Sequence, residues 1–139
     1  MIDQKLNKVL LIDDSFADNY LHSMVIEEVG LTDQIVTCNT GMEALEYLSN
    51  FDGKDYPKPD LILLDINMPA MTGWQFLDEY EKLDDEKKSG IIICMLTTSF
   101  SNQDVVKANK HPLVRGFINK PLNEETLRKL YEDYFKNNC

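Results

Sequence analysis

The chain is poor in cysteine. Cys38, Cys94 and Cys139 are odd in number, widely spaced and without a C-x-x-C pair. That excludes a disulfide framework and a thiolate zinc module, and it points to reduced thiols in a cytoplasmic setting. Histidine is scarcer still: His22 and His111 stand far apart with no partner pattern for a nucleophilic triad. Positive charge is in deficit, with 14 Lys+Arg against 24 Asp+Glu and a formal net charge of −10. Such a chain repels phosphate backbones and anionic lipid, so direct nucleic-acid binding and membrane-surface binding are set aside. No apolar run approaches the ~20 residues of a membrane span. The first eight residues lack the apolar stretch of a secretion signal. No repeat, low-complexity tract or linker interrupts the 139 residues, and a length of that order fits one domain.

What is present is an alternation of short apolar runs with helical patterns. Val9–Ile12, Leu61–Leu64 and Ile91–Leu96 are continuous and largely β-branched or leucine. Runs without period-two alternation fit strands buried on both faces, as in a parallel sheet. Two weaker strands are expected at Ile35–Cys38 and Gly116–Asn119. Leu21, Met24, Val25 and Val29 have helical spacing, with Gly30 as the stop. Thr40-Gly-Met-Glu43 reads as a capping box opening a second helix. A third runs from about Gly73 to Leu83. A fourth starts near Ser101 and is stopped by Pro112 at the latest. A last one carries Leu127, Leu130, Tyr131 and Tyr134, with Asn123 as N-cap. Asp52–Asp60 and Asp84–Gly90 read as loops. The order is (βα)5, an α/β doubly wound parallel sheet.

Ligand chemistry in such folds sits at the carboxyl ends of the strands. Standing there are Asp13-Asp14, Asp65, Thr97 and Lys120-Pro121. Taken singly, each has a bland explanation: a helix cap, a turn, a core hydroxyl. Their joint occurrence at four strand ends is what carries meaning. Two carboxylates at about 4 Å repel by roughly 4 kcal/mol at an effective dielectric near 20. Three therefore need cations or a proton. Lys120 offsets one charge and a divalent ion would offset two. The donors are hard oxygens, which favours Mg²⁺ over zinc or copper and points to phosphoryl chemistry.

The motifs LLIDD, LLDINMP-x-x-x-G, LTTS and the late KPL resemble those of the receiver domains of two-component response regulators. The resemblance covers about Lys8 to Phe135. It implies the flavodoxin-like strand order 2-1-3-4-5. It implies Asp65 as phosphoacceptor, with Asp13, Asp14, Asp65 and the backbone carbonyl of Asn67 as Mg²⁺ ligands. Thr97 and Lys120 would bind the phosphoryl oxygens, and Phe117 would be an aromatic switch. It further implies a cytoplasmic, stand-alone domain over 1–139 with no output domain. A sensor histidine kinase or a histidine phosphotransfer protein would be the donor, and a downstream protein would read the face of the fourth helix, fifth strand and fifth helix. Such a protein is a switch rather than an enzyme. The chain departs from many receivers at Ser15, where relatives carry a third acid. It departs again at Asn109–Arg115, which replaces a small-residue connection.

Three readings from other classes are weaker. A phosphohydrolase with a strand-end Asp nucleophile carries a second Asp two residues on, and Asn67 stands there instead. A receiver-fold docking module that is not phosphorylated usually lacks an acid or the lysine, and all are present here. A flavin carrier needs a phosphate cradle after the first strand, where Asp13-Asp14 would repel it. His22 is expected at the surface or partly packed, and His111 in a loop. Cys38 and Cys94 are expected as core residues, Cys139 as an exposed thiol. Ser15 and Asn19 read as helix-start residues, and Trp74 as packing at a helix start.

Overall fold

The computed structural model describes residues 2, 4–98 and 101–135. The expectations for Ser99 and Cys139 lie outside them. The elements are β1 (Val9–Ile12), α1 (Phe16–Val29), β2 (Ile35–Cys38), α2 (Gly41–Leu48), β3 (Leu61–Asp65), α3 (Gly73–Glu81), α4 (Asp85–Lys88), β4 (Ile92–Thr97), α5 (Asn102–Lys110), β5 (Val114–Asn119) and α6 (Glu124–Tyr134). All strand pairs are parallel, in the order β2-β1-β3-β4-β5. This is the flavodoxin-like (βα)5 architecture expected from the sequence.

The three apolar runs form the centre of the sheet, where both faces are covered. Odd positions of β1 and β3 (Val9, Leu11, Leu61, Leu63) join Cys94, Leu96, and residues of α1 and α6 in one core. Even positions (Leu10, Ile12, Ile62, Leu64) join Ile93, Met95, and residues of α2 and α3 in the other. The period-two geometry of a strand requires this division. Because β1 has β2 on one side and β3 on the other, the chain reverses its winding there. A crevice opens between the carboxyl ends of β1 and β3, and Asp13 and Asp65 stand at its two sides.

Several local expectations are corrected. The buried face of α1 is Asn19, His22, Ile26 and Val29, whereas Leu21 and Met24 are exposed. The helix is present, but its apolar residues are shared between core and solvent. Asn19 is drawn inward because its amide donates to the Asp13 carbonyl (3.0 Å). His22, expected near the surface, is buried beside it. The Thr40 box is half made: Thr40 Oγ1 accepts from Glu43 N–H, but Glu43 accepts from Asn39 N–H instead of the cap. The loop after α3 contains the helical turn α4. Its acidic start (Asp85, Glu86) and basic end (Lys87, Lys88) suit the helix dipole. Strand β5 begins two residues before the expected Gly116. Cys38 and Cys94 are core thiols, pushed up to about 12 chiefly by burial. No helix among the described residues is long and apolar enough to cross a membrane.

Gly73 shows how tightly the loop after β3 is built. It opens α3, and its N–H donates to the Ile66 carbonyl (2.8 Å). A Cβ there would lie 2.7 Å from the Asp65 carbonyl oxygen and 3.0 Å from Ile66 Cα, both backbone atoms. At Gly41 the obstruction is the flexible thioether of Met71. Gly73→Ala should therefore lose about 1–3 kcal/mol in urea unfolding, as overpacking does. Gly41→Ala should stay within about 1 kcal/mol of wild type, since helix propensity offsets a yielding contact. Equal losses at both positions would contradict this view of the loop.

Candidate functional site

Asp13 is the residue at which β1 stops. Its N–H donates to the Cys38 carbonyl (3.1 Å), so it is still tied to the sheet. Its carbonyl accepts from the Asn19 and Asn39 amides (3.0 and 3.3 Å). Its carboxylate Oδ1 accepts from Ser15 N–H (3.0 Å). Four contacts thus fix a buried acid, while Asp14 next to it is exposed. Asp65 is the last residue of β3 and is buried. It is held from behind by Ile66 N–H donating to the Leu96 carbonyl (3.2 Å).

Thr97 ends β4 and is fully buried; its hydroxyl accepts from the Asn67 side-chain amide (3.3 Å). Its carbonyl accepts from Lys120 N–H (2.8 Å), which fixes where the lysine leaves β5. From there Lys120 reaches back across the sheet edge, with its side chain 8% exposed. Its Nζ lies 2.6 Å from Asp13 Oδ2, 3.0 Å from Asp18 Oδ2 and 3.4 Å from Asp65 Oδ1. Burial alone would lower the Lys120 ammonium, but the Asp13 and Asp18 carboxylates outweigh it and hold it above its ordinary value. The lysine is charged at neutral pH.

Oxygens of Asp13, Asp14 and Asp65 all lie within 4.8 Å of one another. Asp13 Oδ2 is paired with the Lys120 ammonium at 2.6 Å, and no other donor reaches this buried oxygen. Three converging hard oxygens, one of them with no donor besides the lysine, fit a Mg²⁺ ion. Burial, then the Asp13 charge, pushes the Asp65 carboxyl up, with Lys120 opposing. Burial, then the Lys120 charge, pushes His22 down, so this core imidazole is neutral.

The structure thus brings Asp13, Asp14, Asp65, Thr97 and Lys120 to one edge, with Asn67 bonded to Thr97. Phe117 is half-buried in β5, paired across from Met95 and on the same face as Thr97, which pairs with Asn119. Trp74 does more than pack: its Nε1 donates to Asp104 Oδ1 (3.2 Å), and Lys107 Nζ lies 5.0 Å over the ring. It ties the start of α3 to α5. Asp18 escaped the sequence reading. Its signal was Ser15-x-x-Asp18, a cap pattern directly after a strand-end acid.

A family model described as response regulator receiver domain matches residues 9–132. The chain is 30% identical over 125 residues to the probable methanogenesis regulatory protein FilR2 of Methanothrix harundinacea, covering 90% of this chain and 79% of that one. It is 30% identical over 127 residues to the chemotaxis protein CheY of Halobacterium salinarum, covering 91% and 94%. A two-component response regulator structure from Cytophaga hutchinsonii superposes with a TM-score of 0.82 at 28% identity, covering 96% and 100%.

The raised Asp65 carboxyl has a consequence for stability. The folded chain holds this proton more tightly than the unfolded chain does, so stability falls as pH rises through the folded-state titration. Asp65→Asn removes that loss. In buffer with a metal chelator, the variant's advantage in urea unfolding should grow as pH rises from about 4, the ordinary carboxyl range, towards 7. An advantage that is larger at the acid end would show that Asp65 is not strained by its neighbours.

Proposed function

Because this chain belongs to the response regulator receiver domain family of two-component signalling, we propose that it is a phosphorylation switch whose phosphoryl group is carried by Asp65. The observation that carries this reading is the Lys120 ammonium, held 3.4 Å from Asp65 Oδ1 in a crevice with two more acids and a buried hydroxyl. A passive docking module has no use for that arrangement. Asn67 in place of a second acid argues against hydrolysis of a small substrate, since an amide neither takes nor gives a proton near neutral pH.

In the proposed reaction a carboxylate oxygen of Asp65 attacks the phosphorus of a phosphohistidine in line. The O–P bond forms as the N–P bond breaks, and the imidazole nitrogen keeps the electron pair and takes a proton. The donor is a sensor histidine kinase or a histidine phosphotransfer protein. Mg²⁺, held by Asp13, Asp14, Asp65 and the Asn67 backbone carbonyl, would supply positive charge to the phosphoryl oxygens. Lys120 supplies a second, directed positive charge. Thr97 offers its hydroxyl to a phosphoryl oxygen. The product is an acyl phosphate, which water removes, so the chain's own chemistry is limited to acquiring and losing one group.

The readout follows from the placement of the phosphate ligands. Thr97 ends β4 and Lys120 follows β5, and a phosphoryl group between them pulls on both. Phe117, half-buried on the Thr97 face, repacks as Thr97 moves. Trp74, one residue past the glycine that touches Asp65's carbonyl, passes the loop's position to α5. The responding surface is α5, β5 and α6, where a cavity of ≈ 550 Å³ lies between β5 and α6. A downstream protein reads it.

Acetyl phosphate with Mg²⁺ should add a single phosphate to the intact mass, lost in Asp65→Asn and in chelator. Label that persists in Asp65→Asn refutes the phosphoacceptor assignment. A second measurement separates the two phosphate ligands. A hydrogen bond to a charged acceptor contributes about 1.5–3 kcal/mol, less than the ~5.5 kcal/mol that moves a switch from 1:99 to 99:1. Phosphorylated Thr97→Ala should therefore show averaged amide signals in α5, β5 and α6, between the two end states. Phosphorylated Lys120→Ala should stay near the unphosphorylated spectrum. Full wild-type shifts in both variants would rule out this route.

A further inference from the structure

Lys120 has a partner that the proposed phosphotransfer does not use. Asp18 Oδ2 lies 3.0 Å from Nζ, nearer than Asp65 Oδ1 at 3.4 Å. Asp18 belongs to the first turn of α1, and Lys120 follows β5, 102 residues away in sequence. Local chemistry aims this carboxylate. Ser15 caps α1 and its hydroxyl accepts from Asp18 N–H (3.1 Å), which fixes the Asp18 backbone. In a complete capping box the N3 side chain would return to the cap's own N–H. Here Ser15 N–H already donates to Asp13 Oδ1 (3.0 Å). The Asp18 carboxylate is left to turn across the crevice to the lysine.

We propose that Asp18 is a positioning residue that restrains Lys120 before phosphorylation and gives it up afterwards, so that the first turn of α1 responds to the phosphoryl group. The proposal rests on Asp65 being the phosphoacceptor. An ammonium has three donors, and three carboxylates already share this one. A phosphoryl group of charge roughly −1.5 to −2 demands one of those donors. The partner released is the one that loses least. Asp13 is buried and contacts Nζ at 2.6 Å, so leaving it would strand a desolvated carboxylate. The Asp18 side chain is 35% exposed, and water can replace the lysine there. Release also reaches the surface. Phe16 and Tyr20 flank Asp18 on α1 and are 77% and 67% exposed.

The test uses the whole chain with acetyl phosphate and Mg²⁺, comparing wild type, Asp18→Asn and Asp18→Glu. Asp18→Asn removes both the competitor for Lys120 and one charge facing a dianionic donor. It should label about 3–10-fold faster at low salt, and the gain should shrink near 1 M salt, where the screening length is about 3 Å. Asp18→Glu, which keeps the charge, should label within about twofold of the wild-type rate. A merely structural role would slow Asp18→Asn and leave its rate indifferent to salt. The second measurement needs no variant: in wild type, amide signals of residues 16–22 should shift on phosphorylation. Asp18→Asn labelling no faster than wild type, or unmoved α1 amides in phosphorylated wild type, overturns the proposal. A wild type that takes no label on Asp65 overturns the phosphoacceptor reading itself, a distinct failure.

Discussion

Repulsion between carboxylates at one edge of the sheet is the constraint on which the rest of this molecule depends. Asp13, Asp14 and Asp65 present oxygens within 4.8 Å of one another. Like charges at about 4 Å cost roughly 4 kcal/mol at an effective dielectric near 20, several times a net hydrogen bond. Hydrogen bonds alone therefore cannot hold such a cluster. A cation must, and the chain supplies one in Lys120, which pairs with Asp13 and Asp65 of the cluster and with Asp18. The residual negative charge makes the site receptive to a divalent ion, and the ion together with the lysine makes it receptive to a phosphoryl group. In the proposed function, binding, chemistry and switching all descend from one imbalance.

The fold's part is to keep the acids from relaxing apart. Central strands buried on both faces give a stiff platform whose ends cannot splay. Asn19, Asn39 and Ser15 hold Asp13 by its backbone and one oxygen. Gly73 lets the backbone after Asp65 fold back within van der Waals contact of the strand end. In the proposed function the phosphoryl ligands are drawn from β4 and the residue after β5, next to the responding surface, whereas the acids come from the middle of the sheet. Charge added at the centre would thereby be felt at the edge.

Much of this was legible in the sequence because it rests on short-range patterns. Continuous apolar runs marked the central strands, and the position of each acid, hydroxyl and lysine after a run placed it at the sheet edge. What was not legible depended on tertiary geometry. The inward face of α1 could not be found from hydrophobic spacing, because Asn19 and His22 occupy it while Phe16, Tyr20, Leu21 and Met24 face solvent. Asp18 went unread, because Ser15-x-x-Asp18 is in sequence a common helix-cap pattern; only the contact of Ser15 N–H with Asp13 shows why its carboxylate turns elsewhere. The turn α4 carried a charge pattern suited to a helix, but Gly90 and the polar composition spoke for a loop.

The central claim is that Lys120 and a divalent ion balance the same carboxylates. Calorimetric titration of Mg²⁺ into wild type, Asp14→Ala and Lys120→Ala tests it most directly. Loss of a ligand carboxylate should weaken binding about tenfold or more, a change of ~1.4 kcal/mol. Loss of the competing ammonium should tighten it several-fold, because the acids are then balanced by the ion alone. Lys120→Ala binding Mg²⁺ no more tightly than wild type would contradict the account.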